Sequence, residues 1–267
     1  MDLKLAGKTA LVTGSTAGIG LAIAERLAAE DAHVTIVGRS QAKLEEALEK
    51  VRGAASPTTK SHVRAVLADA ASAEGAKILG EQVPAVDILV NNLGIYESKP
   101  FTEITDEDWR KFFEVNVLSG ARLARQYFPG MLARNWGRII FIASESGLLI
   151  PTDMIHYGMT KTAQLSISRG LAGLTKGTGV TVNSVLPGPT RSEGIVDFLK
   201  SVVSDPTLPA DEMEAEFFRN DRPLSLLQRM IEPEEIASMV AYVASPLSAA
   251  TNGAALRVEG GITPTIA

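Results

Sequence analysis

The chain has 267 residues, 45% of them hydrophobic and 21% charged, with Lys+Arg 26 against Asp+Glu 31 and a formal net charge of −5. This is the composition of a soluble globular protein able to hide about three quarters of its unfolded surface, and it lacks the broad basic face that holds nucleic acid. With no cysteine and three histidines (His33, His62, His156) outside any metal-ligand spacing, disulfides, thiolate nucleophiles and a metal site are not expected. No apolar run approaches about eighteen residues and the first residues carry no apolar signal core, so neither membrane insertion nor secretion is expected, and the cytoplasm is.

Short β-branched or apolar runs alternate with helical patterns along the whole chain. Strands are predicted at about 8–13, 33–38, 63–68, 87–91, 137–143, 180–185 and 255–258. Ile19, Ile23 and Leu27 recur at helical spacing after the first strand, which gives an apolar stripe for packing on a sheet. Further helices are predicted near 41–52, 72–82, 107–128, 157–176 and 233–244, with a turn-rich loop from Gly53 to Lys60. The expected fold is α/β: a single doubly wound Rossmann-type domain over 1–267, with a seven-stranded parallel sheet flanked by helices. The segment 189–230, with Pro189, Pro206, Pro209 and Pro223, breaks the rhythm. It reads as a small helical lid insertion near the carboxyl ends of late strands, where open sheets bind ligands.

Thr13-Gly14-Ser15-Thr16-Ala17-Gly18-Ile19-Gly20 lies between the first strand and the first helix. Glycines there permit a tight turn and close approach of backbone N–H groups to a pyrophosphate, beside the positive end of a helix. The spacing is G-x3-G-x-G, not the general dinucleotide fingerprint, and a purely structural turn is the alternative. About twenty residues on, where such folds put a carboxylate for a ribose or a cation for a 2′-phosphate, the second strand ends Gly38-Arg39-Ser40. An arginine without an acid favours NADP(H) over NAD(H); the alternative is a solvated arginine opening a helix.

Tyr157 and Lys161 stand four apart, on one face of a helix. A phenol is a poor base at neutral pH unless a cation favours its phenolate. Ser144 precedes Tyr157 by thirteen residues and Asn116 precedes Ser144 by twenty-eight. With the glycine turn, Asn91-Asn92-Leu93-Gly94 and Pro187-Gly188, this pattern resembles the classical short-chain dehydrogenase/reductase family, of the 3-oxoacyl-[acyl-carrier-protein] reductase type, from about Lys8 to Gly261.

The resemblance implies hydride transfer between a nicotinamide and a carbonyl or secondary alcohol. Tyr157 would be the general acid/base, Lys161 would bind the nicotinamide ribose and lower the tyrosine pKa, Ser144 would orient the substrate oxygen, and Asn116 would hold a water in a relay to Lys161. Gly14, Ser15, Thr16, Gly18, Ile19, Gly20, Arg39 and Ser40 would hold the phosphates and adenosine. Asp69 and Ala70 would meet the adenine, Asn92 and Gly94 the adenosine ribose side, and Pro187, Gly188, Thr190 and Ser192 the carboxamide. Asp69 has an alternative as a helix cap, and Pro187-Gly188 as a simple turn. The chain departs from the family at Leu93, where a small residue is usual, at Ser192, where threonine is, and in Ser15-Thr16-Ala17, which lacks the basic residue of many NADP-dependent members.

By the same analogy Glu145, Ser146, Tyr96, Met154, Ile155 and the lid near 193–218 face a small-molecule carbonyl or alcohol substrate. Glu145 and His156 either select a polar substrate or point away. The family usually forms tetramers through the helices near 107–128 and 157–176 and the last strand, and Trp109, Phe112, Phe113, Tyr127 and Phe128 supply surplus apolar surface, so a homotetramer is expected. The rival readings are an NAD-dependent alcohol, sugar or steroid dehydrogenase, and a non-catalytic dinucleotide-binding sensor. The sensor predicts loss of one of Asn116, Ser144, Tyr157 and Lys161, and all four are present.

Overall fold

Apart from the two edge strands, the short apolar runs form strands buried on both faces, as a sheet covered by helices on each side requires. The computed structural model describes residues 1–192 and 195–266. Among them are strands β1 (Thr9–Val12), β2 (His33–Gly38), β3 (Arg64–Leu67), β4 (Ile88–Asn91), β5 (Gly137–Ile142), β6 (Val180–Pro187) and β7 (Ala255–Val258). They pair in parallel in the order β3-β2-β1-β4-β5-β6-β7. β6 runs two residues past its predicted end, pairing through Pro187 with Val258.

Strand alternation divides the core between the two faces. Val12, Val90 and Ile140 point to one side, packing with α1 (Gly18–Ala29), α2 (Gln41–Ala54) and α9 (Pro233–Ala244). Leu11, Leu89 and Ile139 point to the other, against α3 (Ala73–Gln82), α5 (Ser119–Ala133) and α6 (Ile155–Gly173). The chain leaves β1 toward β2 and β3 and then crosses to β4 on the far side. That reversal opens a crevice at the carboxyl ends of β1 and β4, where ligands bind in open sheets.

The single helix predicted near 107–128 is three pieces: α4 (Asp106–Phe113), a π-helical turn Glu114–Leu118, and α5. Within this wider turn the carbonyl of Asn116 accepts from Gln164 Nε2 at 2.6 Å. Of the five residues read as surplus apolar surface, Phe112, Tyr127 and Phe128 are buried within the chain and Trp109 partly so, leaving Phe113 exposed.

The insertion contains α7 (Ile195–Val202) and α8 (Ala210–Asn220); Glu193 and Gly194, at the start of the expected lid, lie outside the described residues. Leu199, Met213, Phe217, Phe218 and Met230 bury one another as a separate small core. Glu214 ties α8 to the body, accepting from Arg191 Nη2 at 3.0 Å and from the Met230 N–H at 2.8 Å. No described helix is long and apolar enough to cross a membrane.

Candidate active site

The glycine turn is held by the end of β4. The Thr13 hydroxyl accepts from the N–H groups of Asn92 at 3.0 Å and Leu93 at 3.1 Å, while Asn92 Nδ2 donates to the carbonyls of Thr13 and Gly14 at 3.0 and 3.1 Å. Gly14 and Gly18 have φ of 60° and 52°, a region that disfavours side chains. A Cβ on Gly20 would overlap the Gly14 carbonyl, so glycine is what lets the turn fold back onto the start of α1. Leu93, bulkier than the family's usual residue, packs into the core on the α3 and α5 face.

A cavity of about 760 Å³ runs along this turn, within the range of small-molecule and cofactor sites. Gly14, Gly18, Ile19, Gly20, Arg39, Asn92, Gly94, Pro187, Gly188, Thr190 and Ser192 line it. Ser15, Thr16, Ser40, Asp69 and Ala70 do not. Ser15 turns inward, its Oγ donating to the Val12 carbonyl at 2.7 Å and accepting from the Val37 N–H at 2.9 Å, which braces β1 to β2. Asp69 Oδ1 accepts from the Ala71 N–H at 3.1 Å, and the cap of α3 is Ser72, which accepts from the Gly75 N–H at 2.9 Å. Lys43, in the first turn of α2, also lines the cavity, so two exposed cations share its β2 end. Among the described residues the single carboxylate lining it is Glu145.

Ser144 follows β5, and α6 brings Tyr157 and Lys161 to the same cavity. Lys161 Nζ donates to the Ile142 carbonyl at 3.0 Å and lies 5.5 Å from the centre of the Tyr157 ring. Burial drops the Lys161 ammonium to about 8, against a smaller opposing pull from Glu145. The Tyr157 phenol moves up, opposite to the lowering the resemblance implies. Burial dominates, the Glu145 charge adds to it, and the nearby Ser144 hydroxyl works against both. The lysine, held on a carbonyl and over the ring face, does not offset them.

Asn116 is fully buried and does not line the cavity. Its Oδ1 accepts from the Ile95 N–H at 2.8 Å, and its Nδ2 donates to the Ile95 carbonyl at 2.9 Å and to Thr160 Oγ1 at 3.0 Å. It reaches Lys161 through Gln164, whose Oε1 accepts from Lys161 Nζ at 3.4 Å.

Of the positions expected to face substrate, Glu145, Ser146, Tyr96 and Met154 line the cavity and Ile155 does not. His156 points away: it is fully buried with its ring 4.1 Å from Phe112, and burial lowers its pKa. Three residues were missed from sequence. Gln164 was signalled by its i+3 spacing from Lys161 on α6, while Lys43, in the first turn of α2, had no such signal because Arg39 lies outside that helix. Arg222, which follows α8, lines the cavity and stacks 5.3 Å over Phe217, had no local signal.

The family model described as short chain dehydrogenase matches residues 8–200. An uncharacterized oxidoreductase of Bacillus subtilis (strain 168), YvaG, is 48% identical over 270 residues, covering 100% of both chains. The 3-oxoacyl-[acyl-carrier-protein] reductase FabG of Aquifex aeolicus (strain VF5) is 29% identical, covering 98% of this chain and 100% of its own. Among solved structures, L-sorbose reductase from Gluconobacter frateurii complexed with NADPH and L-sorbose superposes with a TM-score of 0.91 at 31% identity over 100% of both chains.

Proposed function

Because the chain belongs to the short-chain dehydrogenase family of oxidoreductases, we propose that it is an NADP(H)-dependent enzyme that interconverts a small-molecule carbonyl and its secondary alcohol. The observation that carries this reading is one continuous cavity lined by Arg39 and Lys43, the glycine turn, and Ser144, Tyr157 and Lys161. The residues suit a dinucleotide. Glycine at 14, 18 and 20 removes the Cβ atoms at the positions where the turn folds back on itself, and two cations lining the cavity at the end of β2 suit a 2′-phosphate. Bound there, the nicotinamide supplies or accepts the hydride.

In reduction, Tyr157 Oη gives its proton to the carbonyl oxygen, and in oxidation the phenolate removes it from the alcohol. Burial keeps the phenol protonated at neutral pH, which is the form that reduction requires. Ser144 donates to the same oxygen and fixes its position as charge develops. Lys161, fixed on the Ile142 carbonyl, sets a positive charge beside the ring. We read the chain as one domain acting as a cytoplasmic homotetramer. The named activities of its relatives make 3-oxoacyl thioesters and ketoses the first substrates to screen.

The test is fluorescence titration with NADPH and with NADH for the wild type, Arg39→Ala and Lys43→Ala, repeated at two salt concentrations. The expected result is tighter NADPH binding that falls about tenfold in either variant while NADH binding is unchanged. Equal or tighter NADH binding by the wild type would reject NADP(H) in favour of an NAD-dependent dehydrogenase. Binding of neither nucleotide would reject the enzyme reading.

A further inference from the structure

Glu145 is 6% exposed, and its position against the catalytic serine is closely defined. Ser144 Oγ donates to Glu145 Oε2, and Ser146 Oγ donates to Oε1 at 3.2 Å. A hydroxyl has one proton to donate. While Glu145 is ionised, the Ser144 proton is committed to the carboxylate and none is left for a substrate oxygen. Once Glu145 carries a proton, the carboxyl donates to Ser144, and the serine proton is released toward the phenol and the substrate.

The usual route of protons into such a site, through the lysine, takes a different form in this chain. Gln164, 1% exposed, spans Lys161 Nζ and the Asn116 carbonyl. A water between those two atoms would donate and accept interchangeably. An amide donates from nitrogen and accepts at oxygen in fixed directions, so it orients Lys161 without passing a proton on.

We propose that Glu145 is the proton store of this site, resupplying Tyr157 through the Ser144 hydroxyl. The proposal rests on the carbonyl-reduction reading above. As the carbonyl carbon gains a hydride, its oxygen takes the proton of Tyr157 Oη. The phenolate takes the Ser144 proton, Ser144 takes that of Glu145, and the carboxylate is reprotonated by water from the cavity. One hydride and one proton are consumed for each alcohol formed, and oxidation runs the same chain in reverse. Glu145 is thus a positioning residue that acts through Ser144.

The groups that bear on its ionisation come from each surrounding element. Ser144 and Ser146 flank it, Tyr157 and Lys161 come from α6, and Arg222 from the segment after α8. Burial raises the carboxyl; the hydrogen bonds from Ser144 and Ser146 and the Arg222 charge oppose it.

The experiment pairs kinetics with infrared spectroscopy. Reduction of a ketone at saturating NADPH is followed against pH in the wild type, Glu145→Gln and Glu145→Asp. The wild type is expected to lose kcat as pH rises through an ionisation that Glu145→Gln lacks, separate from that of Lys161, which both proteins share. Glu145→Gln is expected to lower kcat about ten- to a hundredfold, with KM and NADPH affinity within about threefold. Glu145→Asp should restore part of kcat and move the ionisation, and it carries the test where Glu145→Gln fails to fold. In the ligand-free protein, a protonated-carboxyl band absent from Glu145→Gln should persist above the ordinary glutamate pKa of about 4.3. A pH profile that neither variant alters, or a band already gone at that pH, would overturn the proposal. A wild type that reduces no carbonyl compound would overturn the reading of the reaction instead, while the infrared titration still reports whether Glu145 holds its proton.

Discussion

Replacing Lys161 by methionine should abolish turnover and change how stability depends on pH. Lys161 is 4% exposed, and burial takes its ammonium from 10.5 to about 8. At roughly 1.4 kcal/mol per tenfold change in proton affinity, this corresponds to about 3 kcal/mol by which the buried charge destabilises the fold below pH 8. As pH rises from about 8 to 10.5, the folded protein releases this proton while the unfolded chain keeps it. The unfolded state then binds more protons, so this lysine's contribution to stability rises with pH.

Methionine conserves much of the volume and carries no charge, but leaves the Ile142 carbonyl and Gln164 Oε1 without their donor. That loss costs about 1–3 kcal/mol and does not vary with pH. The pH dependence of the difference therefore isolates the lysine. Urea unfolding of both proteins at matched salt between pH 7 and pH 10 should show the wild type gaining about 2.5 kcal/mol relative to Lys161→Met. Other lysines and tyrosines titrate alike in the two proteins and cancel. Stability curves that run parallel over this interval would refute the argument that the ammonium is held in a desolvated position.

Tyr157→Phe should lower kcat about a hundredfold or more while leaving NADPH affinity within about twofold, because the lost hydroxyl acts in the transition state; retention of most turnover on a good substrate would reject Tyr157 as the acid. Light scattering at micromolar concentration should give the mass of four chains of 28.3 kDa. A monomer would reject the tetramer. The burial of Phe112, Tyr127 and Phe128 inside the chain already removes part of the apolar surface from which assembly was argued.

The inner strands were legible because a sheet covered on both faces needs near-continuous apolar runs, and 33–38 and the less buried edge strand 255–258 were read to their observed limits. The interruption of the helix at Glu114–Leu118 was not legible. Its residues are compatible with α-helix, and the wider turn coincides with a hydrogen bond from Gln164, a residue 48 positions away. In the site, the glycine turn, Ser144, Tyr157 and Lys161 were readable by residue type and spacing. That Ser15 turns inward while Lys43 and Arg222 reach the cavity was not, since spacing carries no information about which way a side chain faces after the strands have paired.

The amino-acid sequence by itself determined the order of strands and helices, the glycines where a Cβ has no room, and the set of chemical groups available for proton transfer. Those properties are local, set by periodicity, backbone sterics and residue type. Only the tertiary structure decided that the phenol is pushed up instead of down, that a glutamine stands between Lys161 and Asn116, and that Glu145 lies against Ser144. Desolvation, charge–charge interaction and hydrogen bonding depend on distance through space. The residues that set them here come from elements brought together only when the sheet and its covering helices have packed.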